Sequence, residues 1–186
     1  MDLRLPKNRI LFFGKQVEQD SIEEISKEII EINEDDDELR KLYAVYDLHY
    51  EPKPIKIMID SYGGSVYQAM GLFGIMNTSK TPIHTYATGA AMSCGFMILI
   101  HGHKKFAYEH ATPMYHQVST GFWGTVQDLK EEYKETKRLQ KKFEKITLEK
   151  TKISKDKLKE ILKTKHDWFM DVEEALKYGV VDEIIK

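Results

Sequence analysis

A pattern of strand, glycine turn and helix occurs twice in succession, and it restricts the fold more than any other feature of the 186-residue sequence. Residues 55–60 alternate between apolar and polar side chains, as in a strand, and a Gly-Gly turn and an amphipathic helix follow them. A second strand starts at 81 and leads through 83–86 to a run of small residues and an apolar helix. Such tandem units predict an α/β fold with parallel strands and right-handed crossovers.

Both glycine-rich turns follow a predicted strand at its carboxyl end, the edge at which such folds carry their functional loops. Ser93 lies in the second turn, within Tyr-Ala-Thr-Gly-Ala-Ala-Met-Ser-Cys-Gly (86–95), where the extended segment is expected to become a helix. The small neighbours of Ser93 leave room for a substrate backbone. Ser93 is therefore a candidate nucleophile. A tightly packed core helix that contains a serine is the alternative interpretation.

A serine hydroxyl needs a base within hydrogen-bond reach, usually a histidine that a carboxylate orients. Of the seven histidines, His116 ends a predicted strand and is placed like a residue of the functional edge. A Gly-Gly turn can supply one amide of an oxyanion hole, for which Gly64 is the candidate, and Cys94 can supply the second. A plain tight turn at Gly63 and Gly64 is the alternative.

Other segments allow more than one interpretation. A short apolar strand at 9–14 precedes a helix that begins with a capping-box pattern, Ser21-x-x-Glu24. The acidic stretch 33–38 breaks the helical pattern and is interpreted as a solvated connection. Residues 39–54 fit an extra helical turn, an irregular excursion or a hairpin. Short strands are expected at 104–108 and 113–116, and helices at 125–150, 154–163 and 172–178.

The helix predicted at 125–150 is long and highly charged, with a sparse apolar stripe. We expect it to project from so small a domain and to contact another subunit, with a solvated helix packed along one side as the alternative. The stripe consists of Val126, Leu129, Tyr133, Leu139, Phe143 and Ile146.

The composition excludes several classes of partner. A formal net charge of -2 gives no electrostatic reason for nucleic acid or an anionic membrane as partner. The apolar-rich run 89–100 is shorter than the ~20 residues of a membrane span, and the N-terminus lacks the apolar core of a signal peptide. Cys94 is the single cysteine, which suits a reducing cytosol. His101-x-His103 has no carboxylate or thiolate near it, so we predict solvated histidines, no metal and no cofactor.

Four motifs, in order, resemble the ClpP family, the proteolytic subunit of the ATP-dependent Clp protease and a family of serine peptidases. The resemblance extends from about Asn8 to the C-terminus. The chain is similar to a compact, divergent member of the family, which is compatible with a virus-encoded protein. The motifs are Asp-Ser-Tyr-Gly-Gly-Ser-Val (60–66), Gly-Ala-Ala-Met-Ser-Cys-Gly (89–95), Met-Tyr-His-Gln (114–117) and Asp-Trp-Phe-Met-Asp-Val-Glu-Glu-Ala (167–175).

The resemblance implies a role for each of five residues. It makes Ser93 the nucleophile, His116 the general base and Asp167 the carboxylate that orients the base. It makes Gly64 and Cys94 the donors of the oxyanion-hole amides, in agreement with the interpretation of the turns. Composition and spacing alone did not select Asp167.

The resemblance also implies an architecture, a crotonase-like and ClpP-like ββα superhelix with a projecting handle helix. Residues 1–186 would be one peptidase domain, with a head at about 9–115 and 167–186 and a handle region at about 118–163. Its subunits would form heptameric rings, two of which enclose a chamber as a homo-oligomeric tetradecamer. An ATP-driven unfoldase would be the partner that feeds substrates into the chamber.

The sequence departs from the family pattern at several positions. Only about eight residues precede the strand at 9–14, where the family has a pore-lining segment, so the unfoldase partner is left open. Tyr62 and Val118 replace prolines, which predicts an altered substrate-binding strand. His166 replaces an arginine that often forms a ring-to-ring ion pair, which predicts weaker double-ring assembly above pH ~6.5.

The predicted function is a cytoplasmic serine endopeptidase that cleaves peptides or unfolded proteins through an acyl-enzyme. The alternative is a catalytically inactive or regulatory ring subunit that partners an active ClpP. A crotonase-type acyl-CoA enzyme shares the fold and the paired amides, but it would not need Ser93, His116 and Asp167 together.

Overall fold

Seven strands and six helices follow one another in residues 8–164 and 167–186, which the computed structural model describes. The strands are β1 (Ile10–Phe13), β2 (Ile55–Ser61), β3 (Ile83–Met92), β4 (Lys104–Tyr108), β5 (Thr112–Tyr115), β6 (Trp168–Phe169) and β7 (Glu183–Ile185). The helices are α1 (Gln19–Val45), α2 (Val66–Thr78), α3 (Cys94–Ile100), α4 (Val126–Lys150), α5 (Lys155–Thr164) and α6 (Val172–Lys177).

The centre of the fold is a parallel sheet. Strands β1, β2, β3, β4 and β7 lie side by side in that order, and each neighbouring pair is parallel. The β2 sequence Ile-Lys-Ile-Met-Ile-Asp-Ser buries every second residue, as the alternation predicts. Helix α3 is buried along its whole length, in keeping with its apolar sequence. The predicted α/β fold is therefore confirmed.

Strand β3 carries two neighbours on one edge, which divides the sheet. Its first half, His84–Ala87, pairs with β4, whereas Ala90–Met92 pairs with β5. Strand β5 in turn pairs with β6 in the antiparallel direction. The small residues before Ser93 belong to the strand and not to the following helix, since Ala91 pairs with Ser61 of β2 on one edge and with Pro113 of β5 on the other.

Helix α1 is longer than the sequence pattern indicated. The solvated connection predicted at 33–38 is wrong, since the helix continues to Val45. Of the three possibilities for 39–54, added helical turns are correct up to Val45. The capping box is also displaced, because Glu18 is the N-cap and Ser21 is the third helical residue.

The helix continues through the acidic stretch because Asp36 is fully buried and paired inside the protein. The Arg9 guanidinium donates to both oxygens of the Asp36 carboxylate, at 2.5 and 2.9 Å. Tyr50 and Thr81 donate their hydroxyls to the same carboxylate. A single carboxylate therefore joins the start of β1, the interior of α1 and the approaches to β2 and β3.

Replacement of Asp36 by asparagine should destabilise the protein in a pH-dependent way. Burial alone would raise the pKa of Asp36, but the hydrogen bonds from Arg9, Thr81 and Tyr50 outweigh burial and lower this pKa. The ionised carboxylate therefore stabilises the fold above an unfolded-state pKa of ~3.9, and that contribution is lost as the pH falls below it. We expect Asp36→Asn to lower the free energy of unfolding by about 3 kcal/mol at pH 7.

Urea unfolding at pH 7 and pH 3 measures this effect, and the difference between Asp36→Asn and the parent protein should shrink at pH 3. Glu38→Gln, an exposed position on the same helix, is the control and should stay within about 0.5 kcal/mol of the parent. A difference that is the same at both pH values would contradict the role of the ionised carboxylate.

Helix α4 has nearly the predicted bounds, with Thr125 as its N-cap and Asp128 completing a capping box. Its buried residues, Leu139, Phe143 and Thr147, all lie in its second half. Apolar side chains of the first half are exposed, among them Val126 and Tyr133. The buried residues of the helix thus lie in its C-terminal half, whereas its first half contacts other described segments through polar side chains, as where Glu135 accepts from the hydroxyl of Tyr67. In the described part of the chain, no helix is long and apolar enough to span a bilayer.

Candidate active site

Ser93 occupies a sharp turn between β3 and α3. Its backbone has a positive φ of 52° with a ψ of -120°, a conformation that is strained for a residue with a side chain. The Ser93 amide donates to the carbonyl of Met114 on β5, with the two atoms 3.0 Å apart. A strained turn from strand to helix is the arrangement that presents a nucleophile at the end of a parallel sheet.

The pairing of β5 with β6 brings the predicted base and its carboxylate together. The antiparallel register pairs Met114 with Phe169 and Tyr115 with Trp168. One step further along this register, His116 faces Asp167, and His116 Nδ1 lies 3.6 Å from Asp167 Oδ1. Two residues that are far apart in the sequence thus become neighbours through a two-residue strand.

Ser93 and His116 line the same cleft, because β3 and β5 are adjacent parallel strands that end side by side. Within residues 8–164 and 167–186, no hydrogen bond joins the Ser93 hydroxyl to the His116 ring. Catalytic hydrogen bonds are often long in unliganded enzymes and tighten when the substrate binds. The structure therefore brings all three predicted residues to one place, since Ser93 and His116 share the cleft and Asp167 lies beside His116.

The Gly-Gly turn lies against Ser93 and needs glycine at both positions. Gly63 has a φ of 100°, and a Cβ atom there would lie 2.7 Å from the Cβ of Ser93 and 2.9 Å from the amide nitrogen of Cys94. Gly64 has a φ of 148°, and its Cβ would lie 2.3 Å from the carbonyl oxygen of Val17. A side chain at either position would displace the turn from the serine.

The amides of Gly64 and Cys94 are both free to bind a ligand. In the part of the chain that the structure describes, neither amide donates a hydrogen bond to the protein. The Cys94 thiol donates to the carbonyl of Gly64, with 3.1 Å between sulfur and oxygen, and so connects the two segments. Two unpaired amides next to a serine can stabilise an oxyanion.

Two residues that the sequence reasoning did not single out hold the Gly-Gly turn. Val17 donates its amide to the carbonyl of Gly63 at 2.8 Å and accepts from the amide of Ser65 at 2.7 Å. The buried Ser61 hydroxyl accepts from the Gly63 amide and donates to the carbonyl of Lys15. Val17 shows no periodic signal, because it is a lone apolar residue between β1 and α1.

The cleft beside Ser93 is small, with a volume of about 40 Å³, and polar and apolar groups line it in similar amounts. Burial raises the pKa of the Cys94 thiol to about 11, so this group stays protonated and is a poor nucleophile at neutral pH. Burial likewise raises the pKa of Tyr115 to about 12. Ser93 is therefore the candidate nucleophile of the cleft. The other residues that line the cleft include Val66, Met97, Val118, Ser119 and Phe143.

The prediction that His101 is a solvated residue is wrong. Its ring is buried and stacks on Phe73, with 3.8 Å between the ring centroids, and burial lowers the pKa of His101 to about 4. His103 instead contacts the backbone of Ile83 through its ring. Among the described residues, no group of three or more histidine, cysteine, aspartate or glutamate side chains is arranged to hold a metal ion.

Two residues that depart from the ClpP family pattern lie near the site. Tyr62 is exposed at the tip of the turn, and Val118 lines the cleft. His166 lies outside the described residues. The ion pair predicted for His166 therefore stays a prediction.

Comparison with known proteins places the sequence among peptidases. Residues 2–186 match the sequence model of a family described as Clp protease. The chain is 32% identical over 184 residues to the ATP-dependent Clp protease proteolytic subunit of Deinococcus radiodurans, an alignment that covers 98% of this chain and 82% of the relative. It is 30% identical over 184 residues to the ATP-dependent Clp protease proteolytic subunit 2 of a Synechococcus species, covering 98% of this chain and 85% of the relative.

Proposed function

The chain belongs to the Clp protease family, and from that premise we propose that it is a serine endopeptidase acting on peptides or unfolded proteins. Ser93 is the nucleophile, His116 the general base and Asp167 the carboxylate that orients it. One observation supports this assignment most strongly: Ser93 in its strained turn shares a cleft with His116, whose Nδ1 lies 3.6 Å from Asp167.

The proposed reaction proceeds through an acyl-enzyme. The Ser93 hydroxyl attacks the carbonyl carbon of the peptide bond, and its proton passes to His116. His116 then gives this proton to the leaving amine as the carbon–nitrogen bond breaks, and Asp167 stabilises the imidazolium that forms in between. Water, deprotonated by His116, hydrolyses the ester and restores Ser93.

The amides of Gly64 and Cys94 would stabilise the negatively charged oxygen of the tetrahedral intermediate. A single donor of this kind contributes roughly 100- to 1,000-fold to kcat in serine peptidases. The support for this role is that both amides are unpaired and border Ser93. No metal or cofactor is needed for any step of this chemistry.

We further propose that the chain works as a homo-oligomer, as a tetradecamer of two heptameric rings around a chamber. Residues at about 118–163, which include α4 and most of α5, would be the handle region that contacts a second ring, and residues at about 9–115 and 167–186 would be the head. The support is the apolar surface exposed along the first half of α4 and at Trp123, which is 98% exposed. We also propose that an ATP-driven unfoldase is the partner of this oligomer and that the protein is located in the cytoplasm.

A catalytically silent ring subunit is the second candidate. The observation that favours it is the absence of a hydrogen bond between Ser93 and His116 in the described part of the chain, since a triad held apart would not activate the serine. In that case the protein would assemble without cleaving peptides, and it would act through an active partner subunit.

Peptide cleavage and molar mass, measured on one sample, distinguish the two candidates. Short fluorogenic peptides and a folded protein serve as substrates, and light scattering after size exclusion gives the mass. We expect the peptides to be cleaved by the oligomer and a fluorophosphonate to stop the reaction. An oligomer that neither cleaves peptides nor reacts with the fluorophosphonate would favour the silent subunit.

A further inference from the structure

The polypeptide after His116 has little regular structure of its own. Residues 117–124 belong to no helix or strand. Within residues 8–164 and 167–186, their backbone has one hydrogen bond to the rest of the protein, from the amide of Val118 to the side-chain oxygen of Gln140, 2.7 Å away. Gln140 lies on α4, in the half of the helix that holds its buried residues and packs against α3.

The same Gln140 side chain also contacts the residue before His116. Its Nε2 atom lies 3.4 Å from the hydroxyl of Tyr115, the last residue of β5. The Nε2 atom also donates to a carboxylate oxygen of Glu144, one helical turn further on, at 3.0 Å. A carboxylate can only accept, so Glu144 holds the amide with its nitrogen towards itself and leaves the oxygen for Val118.

We propose that Gln140 is a positioning residue for the general base. It binds the chain on both sides of His116, at Tyr115 and at Val118, and thereby sets the position of the imidazole relative to Ser93 and Asp167. The inference rests on the proposed peptidase function. The His116 ring has only the 3.6 Å contact to Asp167 among the polar contacts of the described residues, so its backbone determines where it lies.

Replacement of Gln140 by methionine removes the contacts and keeps the length and helix propensity of the side chain. We expect kcat for a fluorogenic peptide to fall roughly 10- to 100-fold, the effect of misplacing a catalytic group by up to about 1 Å. The rate at which a fluorophosphonate labels Ser93 should fall in parallel, because that reaction needs the base and does not need peptide binding. The molar mass of the oligomer should not change.

A double exchange, Gln140→Glu with Glu144→Gln, is the rescue. The new carboxylate at 140 accepts from Val118, from the Tyr115 hydroxyl and from the new amide at 144, so all three contacts are retained. We expect both rates to return to within about threefold of the parent. Lys141→Met, an exposed neighbour on α4, is the matched control and should leave both rates unchanged.

The possible failures are distinguishable. If the parent protein reacts with neither peptide nor fluorophosphonate, the proposed function fails, and this inference fails with it. If the parent is active and Gln140→Met stays within twofold of it, only the positioning role is overturned. A loss of activity that the double exchange does not restore, together with a lowered thermal midpoint in both variants, would show a purely structural role and would also overturn the inference.

Discussion

Ser93→Ala is expected to abolish both fluorophosphonate labelling and peptide hydrolysis while leaving the oligomer intact. Removing the nucleophile of a serine peptidase lowers kcat by roughly a million-fold, and the activity that remains comes from the oxyanion hole and substrate binding. The variant should fold, because alanine at 93 lacks only the hydroxyl oxygen and has the same backbone strain as serine. Labelling with a fluorescent fluorophosphonate, read by mass spectrometry of the intact protein, is the measurement.

The chain offers a matched control for this variant. Ser119 lines the same cleft as Ser93 but lies in the irregular segment after His116, away from the turn between β3 and α3. Ser119→Ala should be labelled at the rate of the parent protein and keep its activity within a few-fold. If Ser93→Ala were still labelled, or if Ser119→Ala were not, the assignment of the nucleophile would be wrong.

Gly64→Ala should have the next largest effect, through the backbone. The added Cβ would lie 2.3 Å from the Val17 carbonyl oxygen, in a conformation with φ of 148° that disfavours any side chain. The turn must therefore move, and the Gly64 amide moves with it. We expect kcat to fall at least 100-fold, the effect of losing one oxyanion donor, and the protein to be less stable by roughly 2 kcal/mol or more.

Gly71→Ala is the control for the Gly64 exchange. Gly71 lies within α2 on its exposed face, and a Cβ there would have no heavy atom within 4 Å. An alanine in a helix interior is favoured over glycine by about 1 kcal/mol, so this variant should be at least as stable as the parent and equally active. Peptide hydrolysis and urea unfolding of both variants measure the two effects. Full activity in Gly64→Ala would rule out the Gly64 amide as an oxyanion donor.

Elements with a strong local signal could be predicted from the sequence. Helix α4 begins and ends almost where its composition indicates, and β2 has the bounds that its alternation predicts within one residue. The turns at Gly64 and Ser93 were likewise placed at the carboxyl ends of two strands, because glycine and small residues mark such turns locally. The two turns lie close together because β2 and β3 are adjacent parallel strands.

Elements whose conformation depends on distant residues could not be predicted in this way. The sequence of the acidic stretch in α1 is typical of a solvated turn, but in the structure Arg9, Tyr50 and Thr81 surround Asp36. The sequence around His101 is typical of a surface residue, but in the structure the ring is buried and stacks on Phe73. Partners distant in the sequence thus satisfy the buried Asp36 carboxylate. The His101 ring hydrogen-bonds to the nearby Met97 carbonyl, but Phe73, which is distant in the sequence, stacks on it.

The sequence by itself determined the α/β class, the parallel strands and the small-residue turns that carry Ser93 and Gly64, since strand alternation and glycine turns are properties of neighbouring residues. It pointed to Asp167 only through resemblance to a family. The tertiary structure decided that Asp167 faces His116, because the short antiparallel pairing of β5 with β6 sets the register between them. It also decided that Val17 supports the Gly-Gly turn and that Gln140 holds the chain on both sides of His116. Such contacts depend on which segments pack together, and no local pattern of residues encodes them.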